Sequence, residues 1–392
     1  MKFKLLILLL FFCVANCFAT NTNTRYKVWT KDISNTEISV LTCSPGDQIY
    51  SIFGHTAVRV CNPNIGLDAV VNYGLFDFNQ DSFVFRFVKG ETDYSCGAEH
   101  FSSFLYSYAW RGSGVKGTVL DLNDDEKERI IRVLTHDLKP ENSEYRYNFV
   151  YNNCATKIRD IIKFAYSGKY ESLVPSEYTF REIIGKYAEN YPWYMFSFDI
   201  CLGGKEYNTL MTPEEAQFLP EHLDKAINNS LIGRDGEEFK SKTRQEIHLM
   251  PKEKEIEKTL FTPMVMACIL LLLSIINLFF GKKCRIASNI YSGTILLTYT
   301  LIGVIVTFLM FFSEHPFTSA NVNICIFNPL LIIPFVGLMI KEKKKYLRII
   351  NVVFILLAVF FILYSFTFWG CVNHAFIPFA LVLIIELGVY LQ

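Results

Sequence analysis

Tyr147–Asp160 reads YNFVYNNCATKIRD, and the fold reading turns on the change of pattern inside it. Tyr147–Tyr151 reads as extended chain, whereas from Asn153 onward Ile158, Ile161, Ile162 and Phe164 recur at helical spacing. Cys154 stands at the junction. A thiol at a helix N-terminus feels the positive end of the backbone dipole, which favours the thiolate. The same terminus offers backbone N–H groups that can stabilise an oxyanion. A nucleophilic cysteine needs this position, although a buried structural cysteine would occupy it equally well. Asn153 beside it is a natural helix cap and a candidate oxyanion donor.

Upstream, the pattern is that of strands. Ile38–Thr42 is a short apolar run ended by the turn residues Cys43-Ser44-Pro45-Gly46. Asp47–Phe53 reads as one or two helical turns. Thr56–Cys61 alternates as a strand, and Ala69–Tyr73 and Phe83–Val88 read as two more, the latter with Phe83, Phe85 and Phe87 on one face. Asn123 followed by Asp124, Asp125 and Glu126 predicts a capped helix start. Strands followed by helices give an α+β domain.

A cysteine nucleophile needs a base. His55, in FGHTAVRV, begins a strand entered through Gly54, so backbone can approach closely and the strand fixes the ring. His136 on a charged helix face and His222 in a polar loop read as solvated, and His100 is the reserve candidate. Asn72, Tyr73 and Asp77, in NYGLFD, are the candidates to orient the imidazole, with the choice among them open.

The ends of the chain are of a different kind. Residues 1–19 carry Lys2 and Lys4, an apolar run and small residues ending at Ala19, which reads as an export signal. Five apolar stretches follow the exported part, near Leu260–Phe280, Ile290–Phe312, Val322–Ile340, Ile349–Trp369 and Ala375–Leu391. Lys282, Lys283 and Arg285 follow the first, and Lys341, Lys343, Lys344, Lys345 and Arg348 follow the third; the other two loops have no Lys or Arg. The positive-inside rule then puts those two basic loops in the cytoplasm and the N-terminal domain in the periplasm, in agreement with the export signal. The expected order is a signal at 1–19, a periplasmic catalytic domain at 20–232, a charged stem at 233–258 and a five-helix transmembrane domain at 259–392, held in the inner membrane. Arg234–Lys258, with mixed charge, reads as a solvated stem or hairpin.

The formal net charge of zero gives no electrostatic footprint for nucleic acid. No pattern asks for a metal or a cofactor. Cys43, Cys61, Cys96, Cys154 and Cys201 fall in the exported part, an odd number; four paired and one free suits an oxidising compartment, and all five reduced is equally open. At the outer ends of the spans, Glu314, His315, Asn321, Asn323 and Asn328, with Asn373 and His374, are candidates to receive a lipid headgroup.

The order of strand histidine and helix-start cysteine, in GHTA and NNC, resembles the circularly permuted papain-like superfamily, which includes lecithin:retinol acyltransferase-like enzymes and permuted NlpC relatives. More closely, SPGDQIYSIFGHTAVRV, VNYGLFDF, YNFVYNNCATKIRD, YTFREII, FLPEHL and SEHPFTSANVNICIFNPL resemble successive motifs of the Bacteroides-type lipoprotein N-acyltransferase (Lnb) family, from Ile38 to Pro329. That resemblance implies a permuted papain-like domain ahead of the membrane bundle, with Cys154 as nucleophile and His55 as base. It also implies transfer of an acyl chain from a membrane phospholipid to the N-terminal amine of a diacylglyceryl-cysteine lipoprotein. The rivals are an envelope cysteine peptidase or amidase acting on cell wall, and a non-enzymatic membrane receptor or scaffold.

Overall fold

The computed structural model describes residues 22–77, 81–167, 169–234, 236–252, 259–340 and 345–391, so the expected export signal at 1–19 lies outside the described residues. The chain divides into two compact units. The first is drawn from residues 1–83, 92–176 and 212–253, the second from 84–91, 177–211 and 254–392.

The first unit is built on strands β1 (Glu37–Cys43), β2 (His55–Asn62), β3 (Leu67–Leu75), β4 (Asp93–His100), β5 (Val115–Val119) and β6 (Glu144–Arg146). Three short strands follow, β7 (Tyr170–Ser172), β8 (Ser230–Arg234) and β9 (Glu237–Lys240), and then β10 (Arg244–Leu249). One seven-stranded sheet runs in the order β10-β5-β1-β2-β3-β4-β6, and a three-stranded sheet in the order β7-β8-β9. Every pairing is antiparallel.

Alternation along β2 and β3 divides the core in two. Val58, Val60 and Val71 join Ile130, Ile131 and Leu134 of helix Asp124–Asp137 and Ile158, Ile161 and Ile162 of helix Cys154–Ala165 in one cluster. Ala57, Val70 and Leu41 cluster instead with Phe101, Phe104 and Tyr108 of helix Phe101–Arg111. Each fully buried aliphatic side chain contributes about 1.5–3 kcal/mol. The helix expected at Asn123 begins with a reciprocal capping box, Asn123 Oδ1 accepting from Glu126 N and Glu126 Oε2 from Asn123 N.

Three expectations need correction. Phe83–Lys89 is a helix, not a strand. Its sequence FVFRFVK is short and mostly apolar, so a period of two cannot be distinguished from a helical one. Tyr147–Tyr151 is not extended but folds into a loop closed by reciprocal backbone bonds between Asn148 and Asn152, with Asn148 Oδ1 accepting from the N–H groups of Val150 and Tyr151. The run Arg234–Lys258 starts at the last residue of β8 and takes in β9 and β10, so it is not simply a solvated stem. β10 is an edge strand of the main sheet, and Arg234 pairs with Asp121 and Glu126. Residues 253–258 lie outside the described residues.

Among the described residues of the second unit, four helices are long and apolar enough to cross a membrane: Pro263–Phe280, Arg285–Phe312, Val322–Met339 and Lys345–Thr367. The fifth expected span is present as the shorter apolar helix Phe376–Val389. Polar side chains bind these helices to one another. The buried Glu386 accepts from Asn277 Nδ2 at 2.8 Å and Ser292 Oγ at 2.5 Å, joining three helices where lipid could offer no partner. The unit also contains helices Phe180–Tyr187 and Pro192–Cys201.

Candidate active site

The site is assembled at the start of β2. Gly54 has φ +76°, in the left-handed region, and a Cβ there would stand 2.5 Å from the carbonyl oxygen of Cys43. Only glycine lets the chain enter β2 this close to β1, which seats His55 opposite Cys43. Asn72 stands opposite Ala57 on the next strand, and Glu99 lies diagonally from Asn72 on β4, where it faces Val70. His55 Nε2 lies 3.1 Å from Asn72 Oδ1, and Asn72 Nδ2 donates to Glu99 Oε1 at 3.0 Å.

This chain fixes the histidine tautomer. An ionised carboxylate can only accept, so Asn72 must turn its NH2 toward Glu99 and its oxygen toward His55. Nε2 therefore carries the proton, and Nδ1 is left for the sulfur. Asn72 is buried and cannot rotate freely into solvent. Burial raises the Glu99 carboxyl above its usual range, against the opposing pull of the Asn72 hydrogen bond.

Cys154 is the first residue of its helix, and Asn153 caps it. Asn153 Oδ1 accepts from Ala155 N and Thr156 N, each at 2.9 Å, while Nδ2 donates to Phe149 O at 2.7 Å and Phe218 O at 2.8 Å. Both amide hydrogens are thus committed to backbone carbonyls. The expected oxyanion role of Asn153 has no donor left to perform it; the residue positions Cys154. Gly74, with φ +89° at an irregularity in the β3–β4 ladder, brings bare backbone beside the thiol, since a Cβ there would lie 3.9 Å from Cys154 Cβ.

Electrostatics single out this thiol. Burial pushes Cys154 up, but the His55 charge, the hydrogen bond to His55 and the N–H groups of Thr56 and Ala155 outweigh it and bring the thiol below its ordinary value. His55 responds in the opposite sense: burial lowers its pKa, and the thiolate, with hydrogen bonds to Cys154 and Asn72, raises it on balance. The arrangement favours a thiolate–imidazolium pair. Burial drives the other thiols the other way, raising Cys43 and Cys61, and pushing Cys96 to about 12 and Cys201 to about 11. All five are free, so the disulfide arithmetic of four paired and one free does not describe this structure.

Two family models match the chain. One, described as the Lnb N-terminal periplasmic domain, covers residues 25–185. The other, the Lnb transmembrane domain, covers residues 255–392. The chain belongs to the Lnb family. It is accordingly a multi-pass membrane protein with a periplasmic domain. No curated protein and no solved structure gives a significant match.

Within this Lnb chain the other candidates have structural roles. Tyr73 is buried and donates to Asp137 Oδ2 at 2.8 Å, and Asp77 is exposed beyond the end of β3. His100, the reserve base, caps helix Phe101–Arg111 through Nδ1. At the bundle, Asn321 Nδ2 donates to Ile200 O at 2.8 Å and Asn323 Nδ2 to Asp199 O at 2.6 Å; both asparagines are buried. His315 Nε2 bonds Phe87 O, and Glu314 is exposed. A cavity of about 540 Å³ in the second unit is lined by Arg181, Trp369, Asn373 and His374 among others, and by none of Glu314, His315, Asn321 or Asn323. Among the described residues, no group of three or more His, Cys, Asp or Glu side chains could hold a metal. No local pattern in the sequence marks Glu99; only strand register reveals that it reaches Asn72.

Proposed function

We propose that this protein is a thiol acyltransferase of lipoprotein biogenesis, and that its periplasmic domain works as a papain-like catalyst. The observation that carries the reading is the lowered Cys154 thiol, hydrogen-bonded to a histidine whose far nitrogen is held by Asn72. Family membership and the membrane bundle support substrates embedded in lipid.

In the first half-reaction the Cys154 thiolate attacks the carbonyl carbon of a phospholipid acyl ester. A C–S bond forms, and charge collects on the former carbonyl oxygen. N–H groups at the helix start favour that negative charge. Collapse of the oxyanion breaks the C–O bond, and the His55 imidazolium gives its Nδ1 proton to the departing lysophospholipid alkoxide. In the second half, the N-terminal amine of a diacylglyceryl-cysteine lipoprotein attacks the thioester. His55, now neutral, takes a proton from the amine, and the Cys154 thiolate leaves again. An N-acylated lipoprotein results, with the enzyme restored.

The test is the intermediate. Purified protein given phospholipid without an amine acceptor should accumulate one acyl chain on Cys154, releasable by neutral hydroxylamine and discharged by a diacylated lipoprotein. Rapid loss of the chain to water would favour a hydrolase, and acylation at any other cysteine would refute the assignment of the nucleophile.

A further inference from the structure

Helix Phe83–Lys89 is a second kind of site, unrelated to the thiol. In the sequence it joins β3, which carries Asn72, to β4, which carries Glu99. From Val84 onward it belongs to the membrane unit. Its C-terminal carbonyls, which no helical N–H can reach, are satisfied by the loop that follows the second span. Ser313 Oγ donates to Val88 O at 2.8 Å, Glu314 N to Lys89 O at 2.7 Å, and His315 Nε2 to Phe87 O at 2.5 Å. The helix stops at Gly90, with φ +77°, where a Cβ would stand 3.0 Å from His315 N. The helix is therefore fixed to the end of span Arg285–Phe312.

Three of its apolar side chains are nonetheless exposed. Val84 is 73% exposed and Phe85 57%, with Phe87 at 47%, an unusual concentration of apolar surface on seven residues. Phe85 packs on Phe308, with ring centroids 5.9 Å apart. Phe308 lies four residues before the end of the span, which is about 6 Å below its tip at the helical rise. Phe308 also stacks on Phe312, and Phe311 and Phe312 are themselves exposed on the span. The exposed side chains of the short helix thus continue the surface that a membrane span presents to lipid. Because the helix lies within the periplasmic family domain in sequence, the leaflet concerned is the periplasmic one.

We propose that Val84, Phe85 and Phe87 are bedded in the acyl region of the periplasmic leaflet, making helix Phe83–Lys89 an interfacial anchor within the β3–β4 connection. The depth given by Phe308, aromatic side chains at that level, and Arg86 and Lys89 on the same helix all fit an element lying in the interface. The occupant is lipid and not a protein partner, because the patch has no boundary with the lipid-facing wall of the span.

Photocrosslinking of the full-length protein tests this directly. Benzoylphenylalanine would replace Phe85 or, as the control, Phe83, which is buried. Each protein would be reconstituted in phosphatidylethanolamine–phosphatidylglycerol vesicles and irradiated. The expected result at position 85 is a mass increase of one phospholipid, absent at position 83 and retained when Cys154→Ser is added, since the contact does not depend on the thiol. Absence of a lipid adduct at 85, equal adducts at both positions, or a crosslink to a second polypeptide would each overturn the proposal.

Discussion

His55 and Asn72 are joined across neighbouring strands by a 3.1 Å contact between Nε2 and Oδ1, and the direction of that bond is set from behind by Glu99. The imidazole is thereby held with Nδ1 toward sulfur.

If Asn72 sets this orientation, Asn72→Ala should lower kcat by about 10²-fold with little change in KM, the scale expected when a reacting group is misplaced slightly. Glu99→Gln keeps an oxygen acceptor for Asn72 and should remain close to wild type. Glu99→Leu removes the acceptor, frees the carboxamide to turn over, and should fall between the two. Steady-state kinetics with a pH profile would check this. Wild-type kcat and an unshifted profile in Glu99→Leu would show that Asn72 holds its orientation unaided.

The charges make a separate prediction. With Cys154 lowered and His55 raised, both shifts favour the ion pair. The stabilisation linked to the raised His55 is complete below the ordinary histidine pKa and disappears as pH rises through the raised value. That linked to the lowered Cys154 is complete above the ordinary thiol pKa and disappears as pH falls through the lowered value. Alkylation of Cys154 by iodoacetamide, followed by mass spectrometry, should rise with pH through the lowered thiol pKa. His55→Ala removes the countercharge but leaves the burial, so the rise should move to higher pH. An unmoved titration would mean that the imidazole does not hold the thiolate.

Asn153 should behave as a cap with two additional duties. Asn153→Ala loses about 0.5–2 kcal/mol of capping energy. It also strips the Phe149 and Phe218 carbonyls of a buried donor, at a further cost of about 1–3 kcal/mol each. Asn153→Asp keeps the oxygen that caps the helix but sets a buried carboxylate oxygen against the Phe149 and Phe218 carbonyls in place of the donor, so its thermal midpoint should also fall below that of wild type. A wild-type midpoint in Asn153→Asp would show that the Nδ2 bonds contribute nothing.

Topology can be checked in cells. A reporter active only in the cytoplasm should work when fused after Gln392 and fail when inserted within Ser313–Asn321. The reverse pattern would contradict the charge asymmetry of the loops and put helix Phe83–Lys89 against the wrong leaflet.

What the sequence determined by itself follows from local physics. Apolar runs longer than a soluble core requires marked the membrane part, and Lys and Arg confined to alternate loops oriented it, because bilayer insertion depends on composition more than on packing. Asn153 before Cys154 marked a helix start, and Gly54 before His55 marked a tight strand entry; both signals act within a few residues. What only the tertiary structure decided depends on partners distant in sequence. Glu99 meets Asn72 through strand register 27 residues away, which no local pattern records. Asn321 and Asn323 look like free polar groups in the sequence and prove to be clamps on Ile200 and Asp199. Phe83–Lys89 reads as a strand because Phe83, Phe85 and Phe87 alternate, and a seven-residue segment is too short for a helical period to override that pattern. The loop at Ser313–His315, which caps the carbonyls of Phe87, Val88 and Lys89, is a partner distant in sequence.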